Sequence, residues 1–246
     1  MASPSLIKKS FDPPDAAWPP FPTYERRSAD ESDSAASSRV EEVYNLILAR
    51  IVRGELAGGT ELKSTQISTE LGVSRTPVVQ ALSRLIADGI VTQRLNMRAV
   101  VRPGAENWLV EIHELRLLLE PGATANAARN MSREVIEQLE RHAAAVAPAA
   151  DPDWLRRARE FDYCLHLTIA DYAGNQPLRD AIYKCWRYKW LSYELGLDPL
   201  KAVHQGYEEH RSIIEAIKVG DSPMAAAAME LHLRHASSHR PEKLVI

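Results

Sequence analysis

Apolar residues recur along most of this chain at helical spacing, and the places where that period fails mark its divisions. From Arg39 the stretch VEEVYNLILARIVRGEL sets Val40, Val43, Tyr44, Ile47, Leu48 and Ile51 at intervals of three and four, the period of an amphipathic helix. Gly54 ends it, and Gly58-Gly59 predicts a turn. A second short helix is expected over Thr65 to Leu71, with Ser64 as its N-cap and Gly72 as its stop. A third is expected from Ser74 to about Asp88, with Pro77 in the first turn, where a missing N–H costs little. After Gly89 come two short β-branched runs, IVTQR and AVVR, separated by Leu95-Asn96-Met97-Arg98, which predict a hairpin. Three helices followed by a hairpin form a winged helix-turn-helix, expected over residues 39–103.

Beyond Pro103 the helical period runs almost to the end. Breaks near Asn130-Met131-Ser132, Ala147-Pro148, Gly174-Asn175, Gly196 with Pro199, and Gly220 to Pro223 divide residues 104–240 into about six helices. No internal repeat and no strong strand candidate interrupts them. Residues 1–38 hold proline, serine, alanine and acidic residues without an apolar period, and are expected to be a disordered arm. The fold class is therefore mainly α: an N-terminal winged helix-turn-helix and a C-terminal all-helical bundle.

Composition changes this picture in two places. The chain of 246 residues carries a net charge of −3, which argues against nucleic acid until its distribution is considered. Between Arg39 and Pro103 nine basic residues face six acidic ones, so the expected winged helix is the basic part. The two cysteines, Cys164 and Cys185, have no metal-knuckle spacing and fit a reducing compartment. With no run long enough to span a membrane and no secretory signal, a cytoplasmic location and no membrane partner are expected.

The segment Leu62 to Leu85 reads LKSTQISTELGVSRTPVVQALSRL. It resembles the GntR family of bacterial regulators: Leu71-Gly72-Val73-Ser74-Arg75-Thr76-Pro77-Val78 match the family's LGVSRTPV without a gap, and Ala81-Leu82, Leu85 and Gly89-Ile90-Val91 continue the match. The resemblance implies a double-stranded DNA operator of two-fold symmetry and a homodimer that reads it. Ser74, Arg75 and Thr76 occupy the first turn of the recognition helix, where Arg75 can bind guanine with both arms of its fork. Gln80 and Arg84 are expected to face solvent or DNA, Ser64 and Gln66 to touch the DNA backbone, and Arg98 to enter the minor groove from the wing. Two positions depart from the family: Val79-Gln80 stands for Arg-Glu, and Met97-Arg98-Ala99 for the wing's Arg-Gly-Ala. The operator is accordingly expected to differ from those of well-known relatives.

The C-terminal half resembles the FCD domain of the FadR branch of that family, through Leu115-Arg116 with Leu119-Glu120, then Phe161-Asp162 to His166 with Asn175, then Glu209-His210-Arg211, Gly220-Asp221 and His232-Leu233. Asp162 and His166 lie four apart on one helix and so point the same way, while His210 and His232 fall on two later helices flanked by apolar residues. One carboxylate and three imidazoles converging from three helices suit a divalent metal, zinc first and nickel or a similar ion otherwise. His235, three after His232, is the stand-in ligand; His113, His142, His204 and His239 read as surface or packing histidines. The resemblance implies that Arg116 clamps a ligand carboxylate, and a structural pair with Glu120 is the alternative. Asn175 either lines the ligand site or caps the helix that follows. Trp186, Tyr188, Trp190 and Tyr193 read as core or dimer packing, with one member able to reach the cavity.

Together these readings give a metabolite-responsive transcription regulator, a repressor whose operator affinity is changed by a small carboxylic acid bound at the metal. The alternative is a metal-dependent hydrolase or lyase that uses the same Asp/His cluster, with Glu209 as the one conceivable base.

Overall fold

The computed structural model describes residues 31–93, 98–149, 151 and 153–238. These divide into two compact units, one ending at Trp108 and the other beginning at Leu109. The greater part of the expected arm, residues 1–30, lies outside the described residues, as do wing residues 94–97 and His239.

In the first unit, α1 (Glu31–Val52) is followed by β1 (Glu61–Leu62), α2 (Ser64–Leu71), α3 (Arg75–Ala87), β2 (Val91–Thr92) and β3 (Ala99–Val101), with a 3-10 turn at Ala105–Asn107. The expected start of α1 at Arg39 is corrected to Glu31. The polar stretch 31–38 lacks the apolar period by which a helix is read, so its helical backbone left no signal. The sheet has the order β1-β3-β2, both pairs antiparallel, with Leu62 opposite Ala99 and Val91 opposite Val101. The hairpin was expected; β1 was not. Two residues pairing with a strand some forty positions later leave no local pattern.

The unit's core is the apolar face of α1 (Ile47, Leu48, Ile51) against Val78 and Leu85 of α3, with Ile90 and Val101 from the wing, all buried. Two polar links tie α3 to α1: the Tyr44 hydroxyl donates to Asp88 Oδ2 at 2.6 Å, and Arg84 reaches Glu41 at 2.7 Å. α2 ends on Gly72 in the left-handed conformation (φ 63°), as glycine allows, with its N–H on the carbonyls of Ser68 and Thr69. Its N-cap is Lys63, without a side-chain bond, so Ser64 is the first helical residue and not the cap. β1 delivers the chain directly into the helix and displaces the boundary by one residue.

Among the described residues the second unit contains six helices, as the breaks predicted: α4 (Trp108–Asn130, apart from its first residue), α5 (Arg133–Ala145), α6 (Trp154–Asp171), α7 (Gln176–Glu194), α8 (Leu200–Val219) and α9 (Ser222–Ser238). Phe161, Leu165 and Ile169 of α6, Trp186 of α7, Ile213 and Ile217 of α8, and Met229 and Leu233 of α9 form its core. α6 is buried on more than one side, since α7 and α8 both pack on it. Polar residues on such a helix are shielded from water and must find partners inside. Cys164 and Cys185 are buried, unpaired thiols.

Candidate metal centre and nucleic-acid interface

On the DNA side, Ser74 sits at the N-cap position of α3 without a side-chain cap bond, so its hydroxyl is not spent on the helix. Arg75, Thr76 and Gln80 are exposed on the first turns, while Val78, Leu82 and Leu85 are buried behind them. Gln66 is exposed and donates to Glu70 at 3.0 Å, and Ser64 is half-buried. Arg98 is exposed beside the wing and paired with Glu61, whose carboxyl it holds below the usual range by hydrogen bond and charge. The expectation for Arg84 is corrected: its guanidinium is taken up by Glu41 and lies over the Tyr44 ring at 4.7 Å, bracing the helix from behind.

In the second unit the structure brings together all four residues expected to hold a metal. One ligating atom each from Asp162, His166, His210 and His232 lies within 4.8 Å of the others, and all four side chains are buried. Asp162 and His166 come from one face of α6, His210 from α8 and His232 from α9. Asp162 Oδ1 stands 2.8 Å from His210 Nε2, 3.4 Å from His166 Nε2 and 3.9 Å from His232 Nε2. Nevertheless His166 Nε2 and His210 Nε2 are buried with no hydrogen-bond partner in line. Buried nitrogens left without a partner are costly unless something else occupies their lone pairs.

Carboxylates hold the rings from behind. His166 Nδ1 contacts Glu120 Oε2, and His232 Nδ1 lies 2.9 Å from Glu209 Oε2, which leaves Nε2 of each ring facing inward. Tyr193 donates its hydroxyl to Asp162 Oδ2, leaving Oδ1 for the cluster. Glu120 also accepts from Arg116 Nε at 2.5 Å and Trp186 Nε1 at 3.0 Å. Burial alone would raise the Glu120 carboxyl, but the Arg116 and His166 charges outweigh it and hold it down to about 2. Burial likewise opposes ionisation of Asp162, and the close His166 and His210 rings reverse the balance, keeping it well below the ordinary carboxylate range. Burial and the neighbouring His210 push His232 down to about 4, against the pull of Glu209.

A cavity of about 50 Å³ opens beside the cluster, lined among others by Arg116, Arg159, Asp162, Lys189, Tyr193 and His210. Arg116 therefore meets both expectations in part: it lines the cavity, and its Nε is engaged by Glu120. Asn175 does not reach the site; it is exposed and caps α7 by accepting from Leu178 N–H at 3.1 Å. His235 is also outside the cluster, on the other oxygen of Glu209 at 2.5 Å. Glu209 thus orients two histidines and is no free base. His113 packs through Nε2 on the Leu233 carbonyl at 2.9 Å, and His204 stacks on Trp154 with ring centres 4.3 Å apart. Sequence reasoning missed Arg159 and Lys189. The signal was present: Arg159, Asp162 and His166 form a single stripe at i, i+3 and i+7, as do Trp186, Lys189 and Tyr193.

With this geometry in place, comparison with known proteins settles the family. The profile described as "Bacterial regulatory proteins, gntR family" matches residues 39–101, and the FCD domain profile matches residues 111–235. The chain belongs to the GntR family, with a C-terminal FCD domain. It is similar to a probable D-xylose utilization operon transcriptional repressor of Paenarthrobacter nicotinovorans, 28% identical over 78% of this chain and 84% of that protein. It is also similar to the HTH-type transcriptional regulator LutR of Bacillus subtilis, 28% identical over 74% of this chain and 92% of LutR. Among solved structures, Escherichia coli McbR/YncC shares the fold, with a TM-score of 0.57 and 20% identity over 81% of this chain and 95% of that one. The protein is a GntR-family DNA-binding transcription regulator; members of this family bind DNA operators and act as dimers. These relatives are regulators rather than enzymes, so the hydrolase or lyase alternative is not supported. FCD domains bind metal in some regulators, and this chain has a buried Asp/His cluster that could hold one. Among the described residues no helix is long and apolar enough to cross a membrane.

Proposed function

We propose that this regulator is a cytoplasmic homodimeric repressor whose FCD domain holds a divalent metal through Asp162, His166, His210 and His232, and that a small carboxylic acid binding there changes its affinity for a two-fold operator. The observation that carries this reading is the pair of buried, unpartnered ring nitrogens of His166 and His210, facing Asp162 Oδ1, while Glu120 orients the His166 ring and Glu209 the His232 ring. Three imidazoles and one carboxylate suit zinc first, with nickel or a similar ion next. A bound ion would supply a Lewis-acidic position, with one or two sites of a five- or six-coordinate shell left for an acid group. Arg116 then serves chiefly to fix Glu120, and through it the His166 ring. On the DNA side Ser74, Arg75, Thr76 and Gln80 read the major groove, with Ser64, Gln66 and Arg98 at the backbone and minor groove. An effector changes operator affinity only to the extent that it binds one dimer geometry better than another.

The test is a metal analysis of the purified dimer combined with a thermal-shift screen of short carboxylic acids, before and after chelation. One ion per chain is expected, with at least one acid raising the Tm; chelation or Asp162→Ala abolishes that rise. A protein that binds no metal stoichiometrically, or an acid response that survives chelation, overturns the metal-centred reading. Metal binding with no acid response leaves the ion a structural role and removes the effector half of the proposal.

A further inference from the structure

The cavity beside the cluster contains three cationic side chains, and two are neutralised by carboxylates. Arg116 is paired with Glu120 at 2.5 Å, and Lys189 Nζ with Asp198 Oδ1 at 2.5 Å, while Asp198 Oδ2 accepts from Ser192. Arg159 has no such partner among the described residues. Its guanidinium reaches only the Tyr193 carbonyl, at 3.4 Å, and lies over the Tyr193 ring at 5.1 Å. Its Nε is buried with no hydrogen bond. An unmatched charge with a buried, unsatisfied donor is expensive to keep beside a cavity unless an anion completes it.

Position adds to charge. Arg159 is one turn before Asp162 on the same stripe of α6, so its Cα stands about 4.5 Å along the helix axis from that of the carboxylate ligand. The cavity that both line is small, about 50 Å³. Resting on the metal-centred reading above, the balance of charge is simple: a divalent ion less the Asp162 charge leaves one positive, and Arg159 adds a second. Glu209, on the outer side of His232, is not among the cavity's lining residues.

We propose that the effector is a short dicarboxylic acid, one acid group at the metal cluster and the other held by Arg159, which makes Arg159 the residue that selects diacids over monoacids. A planar fork with a free Nε edge suits a second carboxylate. The roughly one-turn offset admits one to three carbons between the two groups, and the small cavity disfavours larger acids.

The experiment is titration calorimetry on the metal-loaded full-length dimer with malonate, succinate and glutarate, each against the monoacid of equal chain length. At least one diacid is expected to bind tenfold or more tightly than its monoacid. In Arg159→Gln the diacid falls to the monoacid's affinity while metal content and the circular-dichroism spectrum stay unchanged, and Arg159→Lys restores part of the preference. Equal binding of diacid and monoacid to the wild type, or a preference that survives Arg159→Gln, overturns the assignment and leaves the metal-centred reading intact. If no acid of either kind binds the metal-loaded wild type, both the effector reading and this one fall. Loss of metal from Arg159→Gln would make the residue a support of the cluster instead of a ligand contact, and would also overturn the assignment.

Discussion

Single residues separate here into those that face outward unspent and those that face inward and hold something. Arg75 is of the first kind, an exposed guanidinium at the start of α3 with no ion pair among the described residues. If it reads guanine by its fork, Arg75→Ala removes about 1–3 kcal/mol of base discrimination. A gel-shift or anisotropy titration should then show roughly tenfold or greater loss on the operator and little change on random DNA; equal loss on both would assign Arg75 to phosphate contact only. Glu120 is of the second kind, buried to 2 % exposure beneath Arg116, Trp186 and His166. Glu120→Ala leaves the Arg116 charge buried and unmatched, a loss of about 3–5 kcal/mol. Denaturant unfolding measures it, and a cost under 1 kcal/mol would mean that water reaches Arg116. Asn175 resembles neither, because its amide caps α7. Asn175→Ala should cost about 1 kcal/mol in unfolding free energy, with acid and metal binding unchanged in calorimetry.

At the scale of elements, helices and their breaks could be read in the sequence because the apolar period and the glycine and proline stops are local signals. The six helices described in the second unit followed from the breaks at Asn130, Pro148, Gly174, Gly196 and Gly220, and the Asp/His cluster from its residue types once those helices were in place. Non-local features could not be read in the same way. β1 exists only through its pairing with β3, the helical start of α1 lacks an apolar period, and Arg84 left the expected DNA face because Glu41 and Tyr44 on another helix claim it. Arg159 lay on the correct stripe of α6, but only the cavity shows that its charge is unmatched. The Gly58-Gly59 turn shows the same division. Glycine signalled a turn, whereas the reason for Gly58 is distant: a Cβ there would meet Pro103 Cα at 2.8 Å and the Arg102 carbonyl at 3.4 Å. Both neighbours are backbone and cannot rotate away. Gly58→Ala should therefore lower the Tm of the DNA-binding unit and weaken operator binding, while calorimetric metal binding by the FCD domain is retained. An unchanged Tm would show that the turn yields without cost.

For the whole molecule, α4 carries information that neither its own packing nor the cluster exhausts. A helix in a globular chain ordinarily has one apolar stripe, and a helix apolar all round is covered on more than one side. Inside the second unit α4 buries Ile112, Arg116, Glu120, Ala123 and Ala127, yet its opposite side presents Val110, Leu115 and Leu118 at 48%, 39% and 80% exposure. At 100° per residue these three fall within an arc of about 140°, shared with the exposed Glu111 and Glu114, so they lie together on one side of the helix. Members of the family act as dimers, so a second copy of this chain is the occupant this face fits. Leu118→Glu places a charge where the partner's apolar surface would lie, and sedimentation should show dissociation at concentrations where the wild type is dimeric. Operator affinity should fall with it, since a single chain brings one DNA-binding unit where a dimer brings two, while metal content per chain stays at the wild-type value because the cluster lies on α6, α8 and α9. A variant that remains dimeric, with unchanged operator binding, would move the dimer contact to another face and leave Leu118 as ordinary exposed surface.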